Sequence, residues 1–227
     1  MKIVVSVGGS VAVPSIDSAR VAAYAGMFEE LVAAGHDLGV VVGGGPTARR
    51  YIEAGRDLGA NEIELDQLGI GATRLNARLL AGALGDRATS SPPSDHDAAR
   101  EAMRRGSIPV MGGTAPGHTT DAVATALAEH TGADLLVFAT SVAGVYDGDP
   151  DEDTTATRFD ELTPKELIEV IADIEMTAGS NAPVDLLAAK LLQRSGLRAV
   201  VVDGTDPDAV ARAVEGAHDG TDIAPER

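Results

Sequence analysis

Residues 108–130 read IPVMGGTAPGHTTDAVATALAEH and predict, in order, a strand, a glycine-rich loop and a helix. The strand prediction rests on the apolar run 108–111, and the helix prediction on the Ala- and Leu-rich segment after Thr119. Threonine is a residue type that caps helix N-termini, so Thr119 fits the start of that helix. A strand that leads through glycines into a helix is typical of α/β proteins.

The same alternation extends through the chain. Strand-like runs, rich in β-branched residues, lie at 3–7, 38–42, 108–111, 135–139 and 199–202. Helical stretches are predicted at 17–34, 46–58, 62–84, 95–105, 119–130, 164–171, 184–194 and 207–214. Strands separated by helices indicate βαβ crossovers, so we expect an α/β three-layer sandwich with a mostly parallel central sheet flanked by helices.

Two polar segments interrupt this pattern without dividing the chain. Residues 88–94 and 144–157 are rich in turn-forming residues and predict surface loops. Residues 221–223 are expected to form a short edge strand. The 227 residues are enough for one α/β domain with a real core, and we expect a single compact unit of two lobes.

The charge of the chain excludes some partners. Thirty-five acidic residues against eighteen basic ones give a formal net charge of −17. Nucleic-acid backbones and anionic lipid surfaces both require clustered Lys and Arg, so neither is expected as a main partner. Lysine occurs only at Lys2, Lys165 and Lys190. An acidic, lysine-poor surface predicts a protein from a salt-loving organism, since salt screens the self-repulsion.

Cysteine is absent, which excludes disulfides and Cys-type zinc sites. The histidines show no metal-binding spacing, and the Asp-rich run 147–153 does not match a calcium loop, so no protein metal site is predicted. No apolar run approaches the ~20 residues that span a bilayer. The N-terminus enters a strand directly and lacks a signal-peptide layout, so we expect a cytoplasmic protein.

Three glycine clusters follow predicted strands. They are Gly8-Gly9-Ser10, Gly43-Gly44-Gly45 and Gly112-Gly113, and the last two run into helices. Glycines let backbone N–H groups approach an anion closely, and a helix N-terminus adds its positive end. Neither a Rossmann fingerprint nor a P-loop is present. Three clusters at the carboxyl edge of one sheet therefore predict a site for several phosphates, held in another way.

These segments carry a resemblance to a known family. The motifs VGGS, VVGGGPTARRYI, GGTAPGHTTDAVATALAE and TSVAGVYDGDP occur in order between Lys2 and about Thr221. The chain thereby resembles the archaeal-type UMP kinases (uridylate kinases) of the amino acid kinase superfamily. The GGT-x-PGHTTDA stretch is the specific motif, whereas the short glycine motifs occur throughout the superfamily.

The resemblance implies a fold, a reaction and an assembly. The fold would be the amino acid kinase fold, with residues of about 1–133 holding UMP and about 134–227 holding ATP. The reaction would be ATP-dependent phosphorylation of UMP to UDP in pyrimidine nucleotide biosynthesis, with Mg²⁺ entering with the nucleotide. The partners would be UMP, ATP and further copies of the chain, in a homohexamer built as a trimer of dimers.

It also implies roles for individual residues. Asp66 would bind the ribose hydroxyls of UMP, and Asp121 would orient the positive groups around the transferred phosphoryl. The expected ATP contacts are Gly9, Ser10, Gly45, Arg49, Thr140, Tyr146 and Asp149. The expected UMP contacts are Gly44, Asp66, Thr114, Ala115, Pro116, Gly117, His118, Thr119 and Thr120.

One position departs from the superfamily pattern. Many members carry Lys two residues before the first Gly-Gly pair, where this chain has Ser6. Arg49 and Lys190 are the candidates for the missing catalytic cation, although a lysine extending from an amphipathic helix to solvent is the more common situation for Lys190. His118 is interpreted as a positioning or structural residue rather than a general base.

Other functions on the same fold stay open. An isopentenyl phosphate kinase would carry His after the second glycine cluster, where this chain has Pro46-Thr47-Ala48-Arg49. Acetylglutamate, carbamate and aspartate kinases are further alternatives, and the acetylglutamate and aspartate enzymes lack the GGT-x-PGHTTDA loop. A non-catalytic nucleotide-binding protein is the alternative that Ser6 favours.

Overall fold

The computed structural model describes residues 1–150, 153–175 and 183–225. Over these residues the strands are β1 (Lys2–Val7), β2 (Asp37–Val42), β3 (Val110–Met111), β4 (Leu135–Thr140), β5 (Glu161–Leu162), β6 (Ala199–Asp203) and β7 (Thr221–Ile223). The α-helices are α1 (Gly9–Ala12), α2 (Ser18–Ala33), α3 (Gly45–Asp57), α4 (Glu62–Leu84), α5 (His96–Arg104), α6 (Thr120–Thr131), α7 (Pro164–Glu175), α8 (Leu186–Ser195) and α9 (Asp208–Glu215).

The strands form one sheet in the order β3-β2-β1-β4-β6-β7-β5. From β3 to β6 all pairs are parallel, and β7 runs antiparallel to β6. In the centre, Val5 of β1 is paired with Val40 of β2 and Val137 of β4. The predicted mostly parallel sheet is confirmed. Residues 221–223 form the expected short strand, β7, but its predicted edge position is wrong, because β7 pairs with β6 on one side and with β5 on the other.

Helices cover both faces of the sheet, as the three-layer prediction requires. One face packs on α2, α4 and α9, where Phe28, Leu80 and Val210 are fully buried. The other face packs on α5, α6, α7 and α8, where Leu127 and Leu192 are fully buried. Because both faces are covered, β1 is buried from Ile3 to Val7, as expected for a central parallel strand.

Side-chain caps define several helix starts. Asp17 and Thr119 accept hydrogen bonds from Ala19 N and Ala122 N and so cap α2 and α6, which confirms the helix start predicted at Thr119. At the start of α4, Asn61 accepts from Glu64 N while the Glu64 carboxylate accepts from Asn61 N. This reciprocal pair is a capping box, and it fixes where the longest helix begins.

The structure adds short elements that periodicity does not indicate and moves the bounds of most predicted ones. The short α1 and β5 contain four and two residues, too few for a helical or alternating pattern. The helix predicted at 164–171 extends to Glu175, and the strand predicted at 108–111 narrows to Val110–Met111. Residues 151 and 152 of the predicted loop 144–157 lie outside the described residues.

The strand order creates a crevice at the carboxyl edge of the sheet. The chain leaves β1 towards β2 on one side, whereas β4 lies on the other side of β1 and leads on towards β6. Ligands of open α/β sheets bind where the connections diverge in this way. The loops after β1 and β4 therefore mark the position at which to look for a site. No described helix is both long and apolar enough to pass through a membrane.

Candidate active site

Two cavities lie side by side at this edge. The strand-end cavity, about 280 Å³, is lined by Gly8, Gly9, Ser10, Gly43, Gly44, Gly45, Arg49, Thr120, Asp121, Ala139, Thr140, Ser141, Val142 and Pro183. The α3–α4 cavity, about 440 Å³, is lined by Gly44, Gly45, Ala48, Arg49, Ile52, Asp66, Gly69, Ile70, Thr73, Gly113, Ala115, Gly117, His118, Thr119 and Thr120. Four residues line both: Gly44, Gly45, Arg49 and Thr120.

The first two glycine loops pack directly against each other. A Cβ added to Gly9 would lie 2.3 Å from Gly45 N and 2.4 Å from Gly43 O. A Cβ added to Gly45, whose φ is +56°, would lie 2.3 Å from the carbonyl carbon of Gly9. Glycine is therefore required here for the contact between two backbones, in addition to any approach of a ligand.

Backbone N–H groups of these loops are available to an anion. The N–H groups of Gly9, Ser10, Gly44 and Gly45 donate to no acceptor among the described residues, whereas Gly43 N donates to Val7 O at 2.8 Å. All four groups belong to residues that line the strand-end cavity. Unpaired N–H groups cost free energy unless solvent or a ligand accepts them, so these four can donate to an anion that enters the cavity.

Helix α4 holds the second and third glycine loops. Asn76, which is 4% exposed, donates from Nδ2 to Gly43 O at 2.9 Å and to Gly44 O at 3.1 Å. Thr73 accepts from Gly113 N at 2.7 Å. The sequence interpretation missed both residues. Their signal was present, since Thr73 and Asn76 are polar residues three apart on the otherwise apolar buried face of a helix.

One wall of the α3–α4 cavity is formed by the loop that precedes α6. The Asp66 carboxylate accepts a hydrogen bond from Gly117 N at 2.7 Å and ties this loop to α4. His118 is exposed on the loop and lines the cavity. Asp66 therefore lies beside the 114–120 loop, as expected for two parts of one ligand site.

Asp121 has an unusual environment for a carboxylate. Its Oδ1 accepts a hydrogen bond from Ser6 Oγ at 2.7 Å, at the position where the superfamily pattern has Lys. Part of Asp121 faces the strand-end cavity, yet the carboxyl is surrounded by protein. Burial raises the pKa of Asp121 to about 7; the Ser6 hydrogen bond opposes this rise, and the neighbouring Asp185 charge adds to it.

Asp185 joins the starts of two helices at the same place. Its Oδ1 caps α8 by accepting from Leu187 N and Ala188 N, and its Oδ2 accepts from Thr119 Oγ1. Thr119 in turn caps α6. The Thr119 side chain is thus used within the protein, which leaves its backbone and the rest of the loop to meet a ligand.

Of the remaining predicted residues, one lines the strand-end cavity and the others lie outside both cavities. Thr140 lines the strand-end cavity, with its hydroxyl bonded to Val142 O at 3.0 Å. Tyr146 and Asp149 lie further along the loop after β4, outside the lining of either cavity, and Thr114 and Pro116 likewise lie outside it. Lys190 is exposed on α8, also outside both linings. Their assigned roles stay predictions.

Arg49 occupies the boundary between the cavities. It extends from α3, is exposed, lines both cavities and makes no ion pair or hydrogen bond within the described part of the chain. No other Arg or Lys lines either cavity among the described residues. A guanidinium with no carboxylate partner in this position can bind phosphate oxygens with its planar set of donors.

The donor set fits Mg²⁺ only as an ion that arrives with a nucleotide. Among the described residues no three His, Cys, Asp or Glu side chains cluster in a way that could hold a metal. Mg²⁺ usually keeps several waters and is bound through substrate phosphates and few protein carboxylates. The phosphates of ATP would therefore hold the ion.

Glycine loops at the carboxyl edge of a parallel sheet, together with two adjoining cavities, define a phosphate-transferring class of α/β protein. The chain belongs to the amino acid kinase family, whose pattern matches residues 1–203. Among its relatives is the uridylate kinase of Haloarcula marismortui, 66% identical over 227 residues and covering 100% of both chains. That of Natronomonas pharaonis is 58% identical over 225 residues and covers 99% of both.

Solved structures agree with the fold. The uridylate kinase of Archaeoglobus fulgidus superposes with a TM-score of 0.89 at 45% identity, covering 99% of this chain and 100% of that one. The UMP kinase of Bacillus anthracis has a TM-score of 0.83 at 21% identity, covering 100% and 96%, and shares the fold. The predicted family and the amino acid kinase fold are confirmed.

Proposed function

We propose that the protein transfers the terminal phosphoryl group of ATP to UMP, giving ADP and UDP for pyrimidine nucleotide biosynthesis. The observation that carries this proposal is the shared wall of the two cavities, formed by Gly44, Gly45, Arg49 and Thr120. A kinase needs a donor site and an acceptor site that meet at the transferred group. The relatives named uridylate kinase, similar over the full chain, support UMP as the acceptor.

The chemistry requires little covalent work from the protein. A phosphate oxygen of UMP attacks the γ-phosphorus of ATP, and the bond from that phosphorus to the bridging oxygen breaks, so that ADP leaves. The N–H groups of Gly9, Ser10, Gly44 and Gly45 and the Arg49 guanidinium stabilise the negative charge on the transferred group. Mg²⁺ that arrives with ATP would neutralise part of the phosphate charge.

We assign the α3–α4 cavity to UMP and the strand-end cavity to the ATP phosphates. All residues that line the α3–α4 cavity lie within 44–120, inside the lobe of about 1–133. The strand-end cavity adds Ala139–Val142 and Pro183 from the second lobe. Asp66 would bind the ribose hydroxyls of UMP, and Thr140, Tyr146 and Asp149 would hold the adenosine.

The Ser6–Asp121 pair favours a second candidate, a nucleotide-binding protein without catalysis. The cation expected beside Asp121 is replaced by a hydroxyl group. Arg49 is the cation that both cavities share, and Lys190 is the other candidate for the missing charge. Turnover decides between the two functions.

The test is an assay of ADP release with MgATP in molar KCl. UMP, CMP, dUMP, AMP and isopentenyl phosphate are compared as acceptors. We expect UMP to give the highest kcat/KM of the five. A folded protein that binds ATP but turns over none of these acceptors would establish the binding-protein alternative instead.

The same assay at low salt tests the salt requirement. The net charge of −17 predicts that activity and folding are lost when screening is removed. Relatives from Haloarcula, Natronomonas and Halobacterium support a salt-loving archaeal source. Because ATP and UMP are cytoplasmic metabolites, we place the reaction in the cytoplasm. Full activity in dilute buffer would contradict the salt prediction.

We also propose a homo-oligomer, a hexamer built as a trimer of dimers. An apolar stripe on α4 supports a contact between copies: Leu68, Leu75 and Leu79 are 37%, 58% and 40% exposed. Gly71 lies on the same face with open space above it, which lets another helix approach closely.

Light scattering after size exclusion in molar KCl measures the assembly. The wild type is expected at six times the chain mass, and Leu75→Glu at a smaller assembly. Ile16→Glu is the matched control, since Ile16 is 65% exposed but lies outside α4. An unchanged mass for Leu75→Glu would exclude this stripe as the contact.

A further inference from the structure

The side chain of Asn76 faces the second glycine loop from inside the protein. It lies on the buried face of α4, and its Nδ2 group donates to two successive carbonyl oxygens, Gly43 O at 2.9 Å and Gly44 O at 3.1 Å. Gly44 O also accepts from Ala48 N at 3.2 Å, in the first turn of α3, whereas Gly43 O accepts only from Asn76 among the described residues. Asn76 therefore holds the Gly43–Gly44 peptide and adds a second donor to the next one.

These hydrogen bonds determine where the N–H groups point. In a trans peptide the C=O and N–H bonds are antiparallel, and the described residues contain no cis peptide. The Gly43 carbonyl shares its peptide with Gly44 N, and the Gly44 carbonyl shares its peptide with Gly45 N. Because both carbonyls face Asn76, both N–H groups point away from the Asn76 side chain, and both residues line the two cavities.

We propose that Asn76 is a positioning residue for phosphoryl transfer, which holds the N–H groups of Gly44 and Gly45 towards the transferred phosphate. This inference rests on the proposed kinase function of the same site. Asn76 itself does not line either cavity, so it acts through the loop and does not touch the substrates.

Two observations favour positioning over simple packing. Glycine is conformationally permissive, and Gly43 O accepts from no donor but Asn76 among the described residues, so this hydrogen bond is the restraint that preorganises the Gly44 N–H. Helix α4 also restrains the third loop through Thr73, one turn before Asn76, which accepts from Gly113 N at 2.7 Å. An apolar residue would fill the same buried volume without the cost of burying an amide.

The test replaces the donor while keeping the shape. Asn76→Leu has nearly the same branched shape and presents no donor to the two carbonyls. Asn76→Ala is the second variant and removes the amide altogether. We expect kcat to fall about 100-fold in both, with the KM values for UMP and ATP within about threefold of wild type, as for the loss of a preorganised donor.

NMR spectroscopy of the backbone amides tests the loop directly. In the wild type, the amide resonances of Gly44 and Gly45 are expected to shift when the non-hydrolysable β,γ-methylene analogue of ATP is added. In both Asn76 variants these two shifts should be lost. This arm measures binding alone, so it decides the role of Asn76 even if UMP proves not to be the acceptor.

Asn61→Ala is the matched control on the same helix. Asn61 belongs to the capping box at the start of α4 and lines neither cavity, so its loss weakens the helix without removing a contact of the glycine loop. Its unfolding midpoint should fall while kcat and the Gly44 resonance keep their wild-type behaviour. Wild-type kcat in Asn76→Leu, or an equal loss of kcat in Asn61→Ala, would overturn the proposal.

Discussion

The two cavities are built from different parts of the polypeptide. The strand-end cavity is formed largely by backbone, with Gly8–Ser10 and Gly43–Gly45 as its floor. The α3–α4 cavity is formed largely by side chains of two helices and one loop, among them Ile52, Asp66 and Ile70. Backbone N–H groups suit phosphate, which every nucleotide carries, whereas side chains distinguish one sugar or base from another. The difference indicates that chemistry and selectivity are separated in space.

The change expected to have the largest effect removes the group that the two cavities share. Arg49→Ala should lower kcat/KM by about 10³-fold for both substrates, because the guanidinium stabilises charge in the transition state. Arg49→Lys should recover only part of this loss, since an ammonium lacks the planar set of donors. Initial rates with UMP and ATP varied separately measure both. A loss confined to one substrate would show that Arg49 belongs to one cavity only.

The next change tests the backbone cavity alone. Gly9→Ala places a Cβ 2.3 Å from Gly45 N, so the two loops must separate. We expect kcat to fall about 100-fold and the free energy of unfolding to fall by about 3 kcal/mol.

Gly26→Ala provides the control for this change. It adds the same methyl group within α2, where no atom lies within 4 Å, and should stabilise the protein by about 0.5–1 kcal/mol. Chemical unfolding and steady-state kinetics measure both variants. Wild-type kcat in Gly9→Ala would mean that the loop contact is not needed for catalysis.

Asp121 makes the strand-end cavity sensitive to pH. Because its pKa is about 7 in the folded protein against 3.8 in the unfolded chain, the folded state keeps a proton that the unfolded state loses between these values. The stability that Asp121 contributes therefore falls as pH rises through this window. As pH rises through this window, the free energy of unfolding of the wild type should fall by about 2 kcal/mol relative to that of Asp121→Asn. This value is smaller than the full pKa shift would give, because part of Asp121 faces the cavity.

Unfolding curves for both proteins across this pH range give the difference. Asp95 is the control with the opposite sign. Hydrogen bonds from Ala98 N and Ser94 lower the pKa of Asp95, so its contribution is lost as pH falls. If the difference in the free energy of unfolding between the wild type and Asp121→Asn does not change with pH, Asp121 is ionised across the whole range.

The smallest expected effect separates selectivity from chemistry. Asp66→Asn keeps the shape of a side chain that lines only the α3–α4 cavity. The KM for UMP should rise about tenfold, with kcat and the KM for ATP nearly unchanged, because the loss removes uniform binding of one substrate. A change in the KM for ATP would contradict the assignment of the two cavities.

Local patterns predicted the positions of most elements and the glycine loops. The loops that contain Gly9 and Gly45 were predicted to meet because each follows a strand, and strand ends of a parallel sheet converge. Arg49 was proposed only through the family resemblance. Thr73 and Asn76 were missed because helix periodicity reports which face is buried and not what that face touches. The bond between Thr119 and Asp185 joins residues 66 positions apart, and no local pattern indicates such a pair.

The contact between Gly9 and Gly45 constrains how this chain can change over generations. A side chain at either position collides with backbone atoms of the other loop, and a second substitution cannot remove backbone atoms. No compensating replacement exists, so neither glycine can be exchanged first and repaired later. Helix surfaces and loop lengths can drift freely around the pair, and these two positions should be among the slowest to diverge in any lineage that keeps the activity.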